Sequence, residues 1–413
     1  MTEREIQGIW WFPDNPAKRW IARLSLRKAE SPRLDFIVPN DEKFEARPYP
    51  SVLFGEDEHG KPVSLLRLGR VNLSSTLRIC EVSYEAGHAF LGLHIRDIDD
   101  LRIKTFNAYI QQLPGWLWRS GFERSLINSD SDAATIRYRK PRDLRFNVRE
   151  TLSVELVTPF TSWADIREQG IREDGCVYFD SPNGIEFQEA RGLIKSTAHI
   201  LHFASLEPIY PIEVKGTTVS DEDGSSTSFE WISGWMHDDT KWHIDPTWWV
   251  FRFSDVQNDF AQFCARWFDA SSLYQEALSC YFTTVYHPLP DSVEHICLTQ
   301  ALEAYYGVKN ATHGRDFELK IRELAKAHRQ SLPGLFDDPL DFATIVRHNR
   351  NYYTHHNPKW LPHGRVVLGN ELFRLNQKLR LLFQACMLEE LRISPERCSR
   401  LRRQLETHIV NYY

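Results

Sequence analysis

In the first half of the chain, apolar and polar positions alternate in short runs. Residues 8–12, 20–26 and 33–38 are aromatic and β-branched and are bounded by Pro, Asn and Asp, which predicts strands. The same alternation marks 65–71, 77–82, 89–95, 135–138, 152–157 and 185–187. Spacings of roughly 8–15 residues between many of these runs predict an antiparallel sandwich or a twisted barrel. The aromatic stretch 109–118 is ambiguous from its pattern. A helix is predicted over 190–206, and further strand from there to about 253.

The period changes near residue 254. Ser254 and Asp255 form a helix start with an acidic first turn. Phe260, Phe263, Cys264, Trp267 and Phe268 then recur at helical spacing. Helical patterns continue over 255–285, 291–307, 314–330, 338–356 and 370–392, interrupted at Pro288, Pro290, Gly307, Pro333, Gly334, Pro358, Gly369 and Pro395. The expected architecture is therefore α+β, with a β-rich region over 1–254 and an α-helical bundle of four to six helices over 255–413.

Composition adds exclusions. The chain has 413 residues, 42% hydrophobic and 26% charged, values of an ordinary globular protein rather than a disordered or fibrous one. No apolar run approaches the roughly 18 residues a membrane helix needs. The first residues lack the apolar stretch of a secretory leader, so a cytoplasmic protein with no membrane partner is expected. Seven cysteines, an odd number with no Cys-x-x-Cys pair, argue against a disulfide framework or a structural zinc site. The net charge of −6 is unevenly spread: residues 288–413 carry 18 Lys and Arg against 14 Asp and Glu, and the front section 32 against 42. A mildly basic rear section is compatible with a nucleic-acid substrate.

The segment richest in chemistry is 345–358, where Arg350, Asn351, His355, His356, Arg347 and His348 crowd the end of a predicted helix. At about 100° per residue, Asn351 and His355 share a face. Arg350 lies about 140° from His355 around the helix, and its long side chain can swing to the same surface. Arg offers a fork of donors for phosphate oxygens, and His carries protons near neutral pH. That combination suits RNA cleavage by the RNA's own 2′-hydroxyl. Taken without further context, the same residues also describe a solvated helix C-terminus.

The run Arg350-Asn-Tyr-Tyr-Thr-His355 matches the Arg-x4-6-His pattern of HEPN ribonucleases, in its Arg-Asn-x-x-x-His form. The stretch Leu298-Thr-Gln-Ala-Leu-Glu-Ala-Tyr-Tyr306 resembles the first core helix of the ApeA-like HEPN branch, and 263–268 the helix leading into it. The Gly8-Ile-Trp-Trp-Phe-Pro13 start and the β-rich run behind it are similar to the N-terminal domain of ApeA anti-phage proteins. The resemblance implies a metal-independent endoribonuclease of abortive infection, with no cofactor, toxic when unleashed and acting on tRNA or mRNA. His355 would be the general acid and base, Arg350 would bind the scissile phosphate and Asn351 would position either group. Glu303 would orient Arg350 or His355, or form a structural ion pair within the bundle. His348 and His356 compete with His355, which best fits the family spacing. The resemblance also implies a homodimer through the HEPN domain, and a sensor or regulatory role for the β-rich region toward a phage-derived trigger. Apolar Phe373 and Leu381, outside the main stripe of helix 370–392, are compatible with a second partner for that helix.

Other constellations read as structure. His237, Asp238, Asp239, His243 and Asp245 carry metal-ligand side chains without a recognised spacing, and 221–224 lacks the carboxylate pattern of a calcium loop. Asp97, Asp99 and Asp100 read as turn acids, and Tyr352 and Tyr353 as packing residues. Trp231, Trp235, Trp242, Trp248 and Trp249 read as a sandwich core or, alternatively, as an aromatic recognition surface. Two rival functions remain: a non-catalytic HEPN module that binds RNA or a partner, and a carbohydrate-binding β-sandwich with an unrelated helical tail.

Overall fold

The structure, a computed structural model, describes residues 3–27, 29–39, 46–76, 78–123, 137–164, 169–219, 225–236, 249–311, 316–356, 361, 364–394 and 396–397. The chain forms two compact units, Met1–Ala198 with Ile209–His243, and His199–Pro208 with Ile244–Tyr413.

The first unit is built from strands β1 (Arg4–Trp11), β2 (Trp20–Leu26), β3 (Arg33–Pro39), β4 (Val52–Asp57), β5 (Pro62–Ser75), β6 (Ile79–Leu91), β7 (Arg102–Ile110), β8 (Phe122–Glu123), β9 (Arg137–Tyr138), β10 (Leu144–Arg149), β11 (Leu152–Val157), β12 (Phe160–Ala164), β13 (Gln169–Glu173), β14 (Cys176–Glu186), β15 (Pro211–Thr218) and β16 (Ser228–Ile232). Twelve of them form one antiparallel sheet in the order β10-β11-β14-β7-β15-β16-β6-β3-β2-β1-β4-β5, and β5 pairs back onto β6. That last pairing closes β1 to β6 into a barrel. β6 is long enough to serve both parts. Residues 79–85 pair with β3, and 89–91 pair with β16.

Alternation decides which side chains fill the barrel. In β2, Trp20, Ala22 and Leu24 are buried between exposed Ile21 and Arg23; in β3, Leu34, Phe36 and Val38 are buried. The fully buried Trp10 donates its indole N–H to the Ala22 carbonyl at 3.3 Å. A Cβ on Gly55 would come within 2.4 Å of the Trp10 ring, so only glycine admits the indole there. The choice between sandwich and barrel is thereby resolved. The strand predicted over 89–95 stops at Leu91, because Gly92 turns the chain at φ +99° and donates its N–H to the Pro62 carbonyl. The open stretch 109–118 holds the end of β7 and a short helix, α1 (Leu113–Leu117). Asp97 caps a 3-10 turn at 98–100 through the Asp99 N–H. The long helix α2 (Phe187–Ser205) occupies the stretch predicted for it.

The second unit contains the last turns of α2 and the helices α3 (Phe253–Val256), α4 (Phe260–Leu273), α5 (Gln275–Tyr286), α6 (Asp291–Lys309), α7 (Phe317–Ala327), α8 (Pro339–His355) and α9 (Asn370–Glu390). The helix predicted over 255–285 is divided. Tyr274, nearly buried against Tyr305, leaves helical geometry at φ −98° and ψ 24°. α4 buries Phe260, Phe263, Cys264, Trp267 and Phe268 as its spacing requires. α9 is buried continuously from Leu381 to Leu388, so Leu381 already has its cover and supplies no unpartnered face. Among the described residues no helix is long and apolar enough to cross a membrane. No cluster of His, Cys, Asp and Glu able to hold a metal occurs among them either.

Candidate functional site

Helix α8 begins where Asp338 accepts the N–H groups of Leu340 and Asp341 at 3.0 Å, with Pro339 at the first helical position. Both features favour a helix start. It ends where His356 turns left-handed at φ +46° and its N–H bonds the Tyr352 carbonyl at 2.6 Å. The sequence-predicted residues therefore occupy its last two turns.

Arg350 is fixed from two sides. Its Nη2 donates to Glu303 Oε2 at 2.9 Å, and its guanidinium lies 4.5 Å from the Phe317 ring centre. Glu303, from α6, also accepts a hydrogen bond from Lys320 Nζ at 3.0 Å. One carboxylate thus serves two cations, leaving one positive charge unbalanced within this trio. The Lys320 side chain is only 6% exposed, whereas those of Arg350 and Glu303 are 32% and 29% exposed, so Arg350 is the cation of the two that faces outward. Its remaining N–H donors make no hydrogen bond to another described residue.

His355 is exposed and makes no hydrogen bond with another described residue. Asn351 is half-buried, and no hydrogen bond fixes its amide among the described residues. Glu303 reaches Arg350, and no contact to His355 accompanies it. The competition among histidines is narrowed by burial. His348 is nearly buried, with Nδ1 bonded to the Thr344 carbonyl at 2.8 Å. His356 stays exposed beside His355. Tyr353 is a packing residue, as expected, and donates its hydroxyl to the Val367 carbonyl at 2.7 Å. Residues 237–248 and 221–224, with the metal-ligand types and two of the tryptophans considered above, lie outside the described residues.

Three contributors were not singled out from sequence. Lys320 carried a usable signal, because it sits among Phe317, Ile321 and Leu324 on the apolar side of α7. A lysine there implies a buried partner. Phe317 supplies the ring under Arg350. Asn349 is fully buried and ties the segment 365–367 to α8 with all its polar atoms. It donates to the carbonyls of Ile345 and Arg365 at 2.8 and 2.9 Å and accepts from the Val367 N–H at 2.9 Å. Asn349→Ala removes these bonds from a buried site and is expected to cost about 3 kcal/mol, read as a lower denaturant midpoint. A variant with an unchanged midpoint contradicts this fastening role.

As a whole the site offers a positioned guanidinium with spare donors and, one turn on, a solvent-facing imidazole. A guanidinium of this kind can bind phosphate oxygens, and an imidazole can carry a proton.

Two family models match the chain. Residues 5–267 match the family model described as ApeA N-terminal domain 1, and residues 297–397 match the model described as Apea-like HEPN. No curated protein and no solved structure matches the chain.

Proposed function

We propose, from the premise that this chain belongs to the ApeA family of HEPN-domain proteins, that it is an endoribonuclease of anti-phage abortive infection. The observation that carries this reading is Arg350, held by Glu303 and Phe317 with donors to spare, on the same helix end as the exposed His355.

In the proposed reaction the RNA 2′-hydroxyl oxygen bonds to the adjacent phosphorus while the bond to the 5′-oxygen breaks. His355 takes the proton from the 2′-hydroxyl and a protonated imidazole supplies one to the leaving 5′-oxygen. Arg350 balances the charge that builds on the phosphorane oxygens, and Asn351 positions the phosphate or the imidazole. The products are a 2′,3′-cyclic phosphate and a 5′-hydroxyl. The nucleophile is internal to the substrate, so no metal-bound hydroxide is required. tRNA and mRNA both satisfy this chemistry.

One imidazole serves both proton transfers poorly at once, and a second motif across a two-fold axis would separate the roles. The proposed working form is therefore a homodimer with Arg350 and His355 of both chains in one cleft. The β-rich unit is read as the sensor that restrains or targets the nuclease.

The test is cleavage of RNA in excess EDTA, with end-group analysis of the fragments. Cyclic phosphate ends at undiminished rate are expected. Strict Mg²⁺ dependence, or 3′-hydroxyl ends, overturns the mechanism.

A further inference from the structure

Within the β-rich unit, a cationic patch lies over an aromatic floor where β6, β16 and the first turns of α2 meet. Trp231 is the centre of the floor. It stacks on Phe90 at 6.3 Å, meets Phe187 edge-on at 4.7 Å and donates its indole N–H to His88 Nδ1 at 3.3 Å. Trp235 continues the floor 5.7 Å away and is half-exposed.

Three cations gather over it. Lys195 Nζ stands 5.9 Å from the Trp235 ring centre. Arg191 lies one helical turn before Lys195, on the same face of α2. Arg67 crosses from β5, its Cβ and Cδ 3.3 and 3.8 Å from where a Cβ on Gly87 would sit. Arg191 is half-buried, while Lys195 and Arg67 are exposed; partial desolvation disfavours the charges on Arg191 and Lys195, and like-charge repulsion adds to it, from Arg67 onto Arg191 and from Arg191 onto Lys195. Burial and the same two arginines hold His88 at about 4, hence neutral. None of the three cations forms an ion pair with a described residue. Arg191 Nε and Trp235 Nε1 are buried donors without a hydrogen-bond partner. Arg67 also holds a left-handed φ of +57°, a strained conformation for a side chain of this size.

Like charges crowded together, orphaned N–H donors and a strained arginine are each unfavourable in the protein alone. An anion removes all but the strain. We propose that this patch is a nucleotide-phosphate site, with the phosphate held by Arg67, Arg191 and Lys195 and the base laid against Trp235. A phosphate group has enough acceptor oxygens for three cations and the orphaned donors together, whereas a carboxylate has two. The half-exposed indole supplies the stacking face that favours a nucleotide over inorganic phosphate. The site does not depend on the ribonuclease reading.

Calorimetric titration of the full chain tests it, with AMP, a 2′-O-methylated hexaribonucleotide that resists cleavage, and inorganic phosphate as probes. Saturable binding of AMP or of the hexamer, tighter than inorganic phosphate, is expected. AMP binding marks a free nucleotide as the source, and binding of the hexamer alone marks a strand. Arg191→Gln and Lys195→Gln should each weaken binding at least tenfold. Arg67→Gly should weaken binding while raising the melting temperature, since it relieves both repulsion and strain. Absence of binding by both nucleotide probes at millimolar concentration overturns the proposal. So does affinity unchanged in the Gln variants, or a melting temperature several degrees lower in all three, which would make the cations structural.

Discussion

Replacing His355 by alanine is expected to lower RNA cleavage at least about 100-fold, the scale of a lost general acid and base, and to leave stability unchanged. The side chain is exposed and makes no hydrogen bond with another described residue, and such surface substitutions shift stability by about 0.5 kcal/mol or less. Arg350→Ala should lose a similar factor, and Arg350→Lys should recover only part of it because lysine lacks the planar fork. Glu303→Gln should behave differently. It leaves Lys320, with its side chain 6% exposed, without its carboxylate, and a broken buried pair costs about 3 kcal/mol. Cleavage assays alongside thermal melts separate the two classes. Full activity in His355→Ala would remove the catalytic assignment altogether.

Acidification from pH 7 to pH 5 is expected to destabilise the helical unit by about 4 kcal/mol through two buried histidines. Burial holds His202 at about 3 and His295 at about 4, both below the ordinary 6.5. His202 is locked neutral, its Nδ1–H donating to the Glu207 carbonyl at 2.8 Å and its Nε2 accepting from the Tyr281 hydroxyl at 2.9 Å. His295 donates from Nδ1 to Asn376 Oδ1 at 2.9 Å. The folded form stays neutral while the unfolded chain takes up protons below about 6.5, so stability falls as pH drops from there toward 4. Each histidine accounts for about 2 kcal/mol at pH 5, and together they should lower the melting temperature by roughly 10 °C. His202→Gln and His295→Gln should each flatten the pH dependence by about half. A variant that keeps the full wild-type slope would show that its histidine is not the group responsible.

The amino-acid pattern alone carried the class and most element positions. β2 occupies 20–26 and β11 152–157: the inside–outside alternation runs over 20–24 and 154–157, and β2 ends on a continuously buried run, 24–26, while β11 begins on one, 152–154. The helices from 291 onward follow their apolar spacing to within about three residues, since capping and amphipathicity are local properties; the stop expected at Gly307 does not occur, because α6 runs through it, buried, to Lys309. Arg350, Asn351 and His355 could be named as candidates because they lie within one turn and a half of one helix. Glu303 could be named only as an alternative between two roles.

What the tertiary structure decided is long-range. Closure of the barrel depends on β5 returning to β6, a pairing that no local period encodes. Glu303 and Arg350 are 47 residues apart, and Phe317 and Lys320 come from a third helix, so only packing brings the four together. The fastening of 365–367 by Asn349 was hidden for the same reason. An asparagine in a helix reads as a poor helix former until the buried backbone groups it satisfies are in view. The cationic patch of Arg67, Arg191 and Lys195 is the extreme case. Arg67 lies more than a hundred residues from Arg191 and Lys195 along the chain, and the meaning of the three lies in the absence of carboxylate partners among the described residues, which only three-dimensional proximity reveals.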